Sequence, residues 1–219
     1  MNNKSINTIL FDLDGTLLDT NELILQSFEH TFRRHVPEQT YSREDLLQFM
    51  GPPLQDSFQR VRPDELDEMV TTYRSFNLKN HDALVQAFDG VYETIRILHE
   101  QGYKLAIVST KIKATVEKGL RLTGLDEFFP VVIGLDQVEH AKPHPEPVQK
   151  ALELLGSNPE EAVMVGDNSH DILSGQRAST LTAGVSWSLK GEAFLRDLKP
   201  DVILHTMDDL LTFLEEKNR

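Results

Sequence analysis

Two aspartates follow an apolar stretch near the start of the chain. Asp12 comes directly after residues 9–11, Asp14 lies two residues further on, and Gly15 is next. Alternate side chains of a strand point to the same face, so both carboxylates can converge just past the strand end, where Gly15 permits a tight turn. Two acids beside an apolar core are costly unless a cation or a proton holds them. The pattern indicates metal binding or acid–base chemistry, and a solvated Asp-Gly turn is the alternative.

Further polar residues stand where other apolar runs end. Ser109 and Thr110 follow one run, Asp167 follows another, and Lys142 precedes a predicted helix. Ligands of open α/β sheets bind at the carboxyl ends of the strands. A hydroxyl, a third acid and a lysine fixed by the following proline would complete a site for phosphate and magnesium. Taken alone, Ser109 is as consistent with a helix N-cap.

Strand and helix patterns alternate over most of the chain. The predicted strands lie at about residues 7–11, 105–108, 131–133, 162–165, 181–185 and 202–204. Helical periodicity predicts helices at about residues 91–101, 113–123, 146–155, 169–178 and 207–216. Such alternation is typical of an α/β fold with a doubly wound, parallel, Rossmann-like sheet.

The stretch between the first two of these strands has a different texture. Apolar residues recur there at helical spacing, and no strand is expected from Asp19 to Leu84. We therefore expect an all-helical domain, residues 18–85, inserted into a catalytic core made of residues 1–17 and 86–219. Hinges are expected near residues 17–20 and 83–89, where the insert leaves and rejoins the core.

The composition is that of a globular protein and excludes several classes. Of 219 residues, 39% are hydrophobic and the formal net charge is −13, which argues against nucleic-acid binding. An anionic substrate would therefore need local cations. The lack of cysteine excludes disulfides, thiolate catalysis and cysteine zinc sites. Without a membrane-length apolar run or a signal-peptide pattern, we expect a cytoplasmic protein with no membrane contact. The sequence leaves the oligomeric state open.

Four motifs in this order resemble those of the haloacid dehalogenase superfamily, over nearly the whole length. They are Asp12-Leu13-Asp14-Gly15-Thr16, Ser109, Lys142-Pro143, and Gly166-Asp167-Asn168-Ser169-His170-Asp171. The helical insert then resembles the small cap of that superfamily. Residues 12–24, 49–54 and 184–191 are similar to those of its bacterial inorganic pyrophosphatases, with phosphoglycolate phosphatases as near relatives.

The resemblance implies a role for each motif residue. Asp12 would attack phosphorus and form an aspartyl-phosphate, while the Asp14 carboxyl would act as acid and then base. Asp12, the Asp14 carbonyl and Asp167 would hold Mg²⁺. Ser109 and Lys142 would bind the phosphoryl group as part of the catalytic set. The residues expected to support the metal or the phosphate are Thr110, Asn168 and Asp171.

The insert and the histidines receive weaker assignments. The candidate substrate loop of the cap is Gly51-Pro52-Pro53-Leu54, and an ordinary interhelical turn is its alternative. Arg43, Arg60 and Lys79 are cap cations that an anionic leaving group could meet. The eight histidines lack the spacing of a metal cluster, and we expect His144 and His170 at most at the rim of the site.

The leading functional hypothesis is a Mg²⁺-dependent phosphohydrolase acting on inorganic pyrophosphate. A phosphatase for a small phosphoester such as 2-phosphoglycolate is the nearest alternative. A sugar phosphomutase would keep all four motifs. A haloacid dehalogenase would not need Asp14, Asp167 or a metal, and a non-catalytic phosphate-binding module would not need intact catalytic positions.

Overall fold

The computed structural model describes residues 5–219 and has a parallel sheet at its centre. The strands within these residues are β1 (Thr8–Phe11), β2 (Leu18–Asp19), β3 (Gln86–Ala87), β4 (Lys104–Val108), β5 (Val131–Ile133), β6 (Ala162–Gly166), β7 (Leu181–Val185) and β8 (Val202–Leu204). Six of them form one sheet in the order β5-β4-β1-β6-β7-β8, and every neighbouring pair is parallel. The predicted parallel, doubly wound sheet is confirmed, and all six predicted strands are present.

Helices cover both faces of this sheet and fill the insert. The α-helices within residues 5–219 are α1 (Asn21–His35), α2 (Arg43–Leu46), α3 (Leu54–Val61), α4 (Leu66–Leu84), α5 (Val91–Glu100), α6 (Lys113–Thr123), α7 (Glu146–Leu155), α8 (Ser169–Arg177), α9 (Glu192–Asp197) and α10 (Asp209–Lys217). None of them combines the length and the apolar character needed to cross a bilayer. The five helices predicted in the core agree with α5, α6, α7, α8 and α10 to within two residues.

Alternation along β1 divides the core into two layers. Ile9 and Phe11 pack into one apolar cluster, and Leu10 packs into another on the opposite face. All three are fully buried, as expected for the central strand of a sheet with helices on both sides. In the register, Ile9 lies opposite Leu105 of β4 and Val163 of β6. This register fixes where the three central strands end.

The helices α1 to α4 have a core of their own. Phe28 stands at its centre, with ring centroids 4.9 Å from Tyr73 and 5.7 Å from each of Phe32, Phe49 and Phe58. Aromatic pairs at these distances add stabilisation beyond area burial. Because this cluster is separate from the clusters on the sheet, the insert is held together largely by its own side chains.

Two very short strands join the insert to the sheet domain. β2 and β3 pair antiparallel, with Leu18 opposite Ala87 and Asp19 opposite Gln86. The sequence analysis expected no strand from Asp19 to Leu84, which is wrong for Asp19, since two residues are too few to show a period of two. The ribbon lies at the predicted boundary of the insert. Residues 1–4 of the predicted core segment lie outside the described residues.

Candidate active site

The first pair of acids lies where the central strands end. Asp12 follows β1, and its main-chain N–H donates to the carbonyl of Val165 on β6, at 2.9 Å. The residue is buried, with 7% of its surface exposed. Because β4, β1 and β6 are parallel neighbours, the residues after them meet at one edge.

Lys142 is the electrostatic centre of this edge. Its Nζ lies 2.8 Å from Oδ1 of Asp12, 2.6 Å from Oδ1 of Asp171 and 2.6 Å from the carbonyl oxygen of Val108. The residue is 2% exposed. Burial would lower the pKa of Lys142, but the two carboxylates outweigh that effect and raise it above its usual range. The ammonium therefore stays charged and holds Asp12 in place.

The three acids of the edge carry more negative charge than Lys142 offsets. Carboxylate oxygens of Asp12, Asp167 and Asp171 all lie within 4.8 Å of one another. Burial raises the pKa of Asp12 to about 7 against the attraction of Lys142, with Asp171 and Asp14 adding to the rise. Burial, followed by Asp171 and Asp12, also raises the pKa of Asp167 well above its usual range. Such crowding is the condition in which a bound cation is most strongly favoured.

The partners of the three acids indicate which of them would bind a cation. Both oxygens of Asp171 already accept hydrogen bonds, from Lys142 and from the main-chain N–H of Asn168 at 3.0 Å. That second bond makes Asp171 the acid of a capping box at the start of α8. Asp12 and Asp167 are therefore the better candidates for metal ligands, and an oxygen-only donor set suits a hard divalent cation.

Gly15 allows the first turn to approach Asp167 closely. Its φ is +80°, and a Cβ at this position would lie 2.6 Å from Oδ2 of Asp167. Any larger residue would therefore be strained in its backbone and would also displace that carboxylate. The glycine after the two acids thus has a steric role in the site in addition to forming the turn.

Three further residues, Ser109, Thr110 and Lys111, follow β4, and Ser109 is the one that does not line the cavity described below. Ser109 is buried, and its Oγ accepts the main-chain N–H of Lys111 at 3.1 Å. It is not a helix N-cap, because α6 begins at Lys113 with Ile112 as its cap residue, so that alternative is wrong. Nζ of Lys111 lies 2.5 Å from Oδ1 of Asp14. Thr110 lines the cavity described below. The sequence analysis missed Lys111, because a lone lysine after a strand carries no specific pattern.

The insert contacts the core directly beside these acids. The main-chain carbonyl of Met50 accepts hydrogen bonds from Nδ2 of Asn168 at 3.2 Å and from Nζ of Lys190 at 3.0 Å. Gly51 follows with φ at +107°, and a Cβ there would lie 2.4 Å from Nδ2 of Asn168. Lys190 connects onward, since its N–H donates to Ser188 Oγ, which itself donates to the carbonyl of Asp167. Lys190 was also missed from the sequence.

A cavity of about 330 Å³ separates the insert from the sheet edge. Its core side includes Asp12, Asp14, Lys111, Lys142, Asp167, Asn168, His170 and Asp171. Its insert side includes Ile24, Phe28, Phe49, Met50, Gly51, Pro52, Leu54, Gln55, Tyr73, Arg74, Asn77, Leu78 and His81. The cavity therefore has a charged floor and a largely apolar roof.

Three of the four residues in the predicted substrate loop line the cavity. Gly51, Pro52 and Leu54 line the cavity, whereas Pro53 does not. Of the predicted rim histidines, His170 lines the cavity and His144 does not.

The cation that lines the roof was not among those predicted. It is Arg74 of α4, which lines the cavity, whereas Arg43, Arg60 and Lys79 do not. Arg43 instead pairs with Glu22 on the outside of the insert, at 2.6 Å. Spacing along a helix does not tell which charged face turns toward a neighbouring domain.

Comparison with known proteins agrees with this arrangement. The sequence profile of the haloacid dehalogenase-like hydrolase family matches residues 9–185. A protein named pyrophosphatase PpaX from Bacillus cereus is 58% identical over 214 residues, which cover 98% of this chain and 99% of that protein. A protein of the same name from Anoxybacillus flavithermus is 57% identical over 215 residues, covering 98% and 100%.

A solved structure supports the same relationship. A haloacid dehalogenase-like family hydrolase from Streptococcus pneumoniae superposes with a TM-score of 0.84 at 28% identity, covering 95% of this chain and 98% of that one. Sheet order, site geometry and sequence similarity therefore agree. The chain belongs to the haloacid dehalogenase-like hydrolase family.

Proposed function

We propose that the chain is a Mg²⁺-dependent inorganic pyrophosphatase that works through an aspartyl-phosphate on Asp12. The observation that carries the proposal is the grouping of Asp12, Lys142 and Asp167 at one sheet edge, with Asp14 beside them on the cavity floor. The near-full-length similarity to proteins named pyrophosphatase supports pyrophosphate as the substrate.

Asp12 is the proposed nucleophile. A carboxylate oxygen of Asp12 attacks phosphorus, the bond from phosphorus to the bridging oxygen breaks, and the leaving phosphate takes a proton from the Asp14 carboxyl. Water then attacks the phosphorus of the aspartyl-phosphate and gives its proton to Asp14, which releases the second phosphate and regenerates Asp12. The ion pair with Lys142 supports this role, because it favours the ionised form that the attack requires.

Lys142 and Ser109 are the proposed phosphate contacts of the core. The ammonium of Lys142 lies beside Asp12 and carries a fixed positive charge in a buried setting, where electrostatic interactions are strong. The Ser109 hydroxyl, at the end of β4, can donate to a phosphoryl oxygen while its oxygen accepts the N–H of Lys111. Together they offset part of the charge that builds up on the transferring group.

The residues present fit a Mg²⁺ ion. Asp12, Asp167 and the main-chain carbonyl of Asp14 would hold it, and water would complete the octahedral shell that Mg²⁺ prefers. When bound, the ion supplies positive charge that offsets repulsion between Asp12 and an incoming phosphate. The raised pKa values of Asp12 and Asp167 support this assignment, since both reflect buried negative charge in need of a cation.

The insert is the proposed cap over the reaction. Residues 18–85 would close on the core of residues 1–17 and 86–219 about the β2–β3 ribbon, which excludes bulk water from the phosphorus. The contacts of the Met50 carbonyl with Asn168 and Lys190 support closure at this edge. Arg74 and Lys111 line the cavity and would face the anionic leaving group.

A substrate panel tests the proposal. Phosphate release from pyrophosphate, 2-phosphoglycolate and a sugar phosphate is measured with Mg²⁺ and with EDTA, for wild type and Asp12→Asn. We expect Mg²⁺-dependent turnover fastest with pyrophosphate, no turnover with Asp12→Asn, and acid-stable labelling of wild-type Asp12 in rapid-quench experiments with ³²P-pyrophosphate.

Each competing function predicts a different result. Fast turnover of 2-phosphoglycolate with none of pyrophosphate would replace the proposed substrate. An isomerised sugar phosphate would indicate a mutase, and chloride release from a haloacid without Mg²⁺ would indicate a dehalogenase. Equal inactivity of wild type and Asp12→Asn on all compounds would favour a phosphate-binding module.

A further inference from the structure

A second group of metal-ligating side chains lies outside the cavity, on the loop that carries Lys142. Ligand atoms of His140, His144 and Glu146 all lie within 4.8 Å of one another, a grouping that the sequence analysis did not expect of the histidines. We propose that these three residues bind a transition-metal ion, with Zn²⁺ as the type case. None of the three lines the active-site cavity, so the site is separate from the cation site of the proposed reaction.

The distances within the group fit one small ion. Nδ1 of His140 lies 3.0 Å from Oε2 of Glu146, and Nδ1 of His144 lies 3.9 Å from the same oxygen. Ligands about 2.0–2.1 Å from a tetrahedral Zn²⁺ lie about 3.3 Å from one another. The observed separations bracket that value, so small rotations of the two rings would complete the geometry.

The carboxylate of the group is already fixed in place. Oε1 of Glu146 accepts the main-chain N–H of Glu139 at 2.8 Å, and Oε2 accepts the main-chain N–H of His140 at 2.9 Å. Carboxylate oxygens retain lone pairs for a metal beyond these bonds. The two imidazole rings pack against each other with centroids 4.6 Å apart, and the Nδ1 atom of each lies near this carboxylate. Nδ1 of His144 also accepts the N–H of Glu146 at 3.2 Å, a long contact that a metal would replace.

The donor chemistry selects the class of metal. Two imidazole nitrogens and one carboxylate favour Zn²⁺, Ni²⁺ or Cu²⁺ over Mg²⁺, which prefers an all-oxygen set. The side chains of His140 and His144 are 61% and 48% exposed, so an ion can enter from solvent and keep water at its remaining position. Three protein ligands with an open fourth position match that coordination number.

The ion would brace the catalytic loop. It would join His140 to His144 and Glu146, and Lys142 lies between the first two of these residues. The same loop is already held from α8, where Ser174 Oγ donates to the His144 carbonyl and Arg177 donates to the Pro143 carbonyl. A bound metal would add a third restraint and would raise the thermal stability of the folded chain.

Zinc binding to the whole chain, saturated with Mg²⁺, tests the site. Calorimetric titration with Zn²⁺ should detect one tight equivalent in wild type. His140→Ala and His144→Ala should weaken it by about tenfold or more, because even the loss of an outer-shell partner commonly has such an effect. The imidazole NMR signals of His140 and His144 should shift on addition of Zn²⁺. Unchanged zinc affinity in both variants would overturn the proposal.

Two further variants separate this site from other ways of binding zinc. His205 pairs with Glu192 at 3.7 Å, and its side chain is 60% exposed. These two residues form a histidine–carboxylate pair that lacks a second histidine, so they serve as the matched control. His205→Ala should leave zinc binding unchanged. Asp167→Asn, which damages the proposed active-site cation site, should retain the tight equivalent. Its loss in Asp167→Asn would place the ion in the active site and contradict the inference, whatever the outcome of the activity test above.

Discussion

Three acids, of which Asp12 and Asp171 are buried, surround one buried ammonium at the centre of the site. Lys142 contacts Asp12 and Asp171 directly, and Asp167 lies within the same group. Two of these carboxyls have raised pKa values, with burial as the first cause. The metal-free site therefore retains a proton at pH values where isolated aspartates have lost theirs. A divalent cation would take the place of that proton.

Stability of the metal-free protein should therefore fall as the pH rises. The pKa of Asp12 is raised from 3.8 to about 7 in the folded chain. Between these values the folded state binds more protons than the unfolded state, so the free energy of unfolding decreases with pH, by at most about 1.4 kcal/mol per unit for one group. Urea unfolding in EDTA at several pH values from 4 to 7, for wild type and Asp12→Asn, measures this. A slope that is identical in both proteins would contradict the assignment to Asp12.

Asp12→Asn should abolish turnover without unfolding the chain. The amide keeps the shape of the side chain but is not a nucleophile, and loss of a nucleophile costs about 10⁴-fold or more in kcat. Asp126→Asn, at an exposed position in a short turn, is the matched control and should retain wild-type rates. Steady-state kinetics and circular dichroism of both variants check this. Residual activity of Asp12→Asn near the wild-type level would remove Asp12 from the mechanism.

The residues that sequence reasoning found and missed differ in a simple way. Asp12 and Asp167 follow apolar strands, where an acid is unusual enough to attract notice. The proline after Lys142 and the position of this lysine among the motifs indicated a role in the site. Lys111 and Lys190 lie in polar loop segments, where lysines are common. Lys111 contacts Asp14 and Lys190 contacts Met50, across separations of 97 and 140 residues in the sequence. No local pattern encodes a contact of that kind.

At the scale of elements, one main-chain carbonyl of the insert contacts two segments of the core. The Met50 carbonyl accepts from Asn168 and Lys190, which stand on two different segments of the core. Gly51 makes this approach possible, since a side chain there would collide with Asn168. The segment around Met50 is therefore docked by close backbone contact, and the fit should be sensitive to a single methyl group.

Gly51→Ala should impair the reaction more than it impairs stability. The methyl group would push the loop away from Asn168, loosen closure and lower kcat/KM by roughly tenfold, as small misplacements at reaction sites commonly do. Gly102→Ala is the matched control: its φ is +82°, but no atom lies within 4 Å of the added Cβ. Both variants carry the backbone strain of a left-handed conformation, about 1 kcal/mol or more. Equal kcat/KM in the two variants would show that the clash is irrelevant to catalysis.

The elements that sequence reasoning predicted well are the long and periodic ones. Helix α6 was predicted at residues 113–123 and spans Lys113–Thr123, because its apolar face and the terminating Gly124 are both explicit in the sequence. The β2–β3 ribbon was missed, because each strand has two residues and gains its structure from a partner strand at the other end of the insert. Which face of the insert turns toward the core is likewise set by tertiary packing. Arg74 is an example, since it lines the cavity but was not predicted to do so.

At the scale of the whole molecule, removal of the proposed Mg²⁺ should lower thermal stability. A cation that binds the folded chain alone adds about 2.7 kcal/mol at a hundredfold excess over its Kd, or roughly 5–10 °C in Tm for a chain of this size. Thermal unfolding with Mg²⁺ and with EDTA measures the shift in wild type and in Asp167→Asn. The variant should show little or no shift. An undiminished shift in Asp167→Asn would place the Mg²⁺ elsewhere on the protein.

The overall charge opposes the substrate that the site is proposed to bind. The formal net charge is −13, whereas Lys111, Lys142 and Arg74 act only at short range within the cavity. Screening removes long-range repulsion first, since the Debye length falls from about 30 Å at 0.01 M salt to about 10 Å at 0.1 M. We therefore expect kcat/KM for pyrophosphate to rise a few-fold over this range, with free Mg²⁺ held constant. A steady fall instead would mean that the cavity cations dominate the approach of the substrate even at long range.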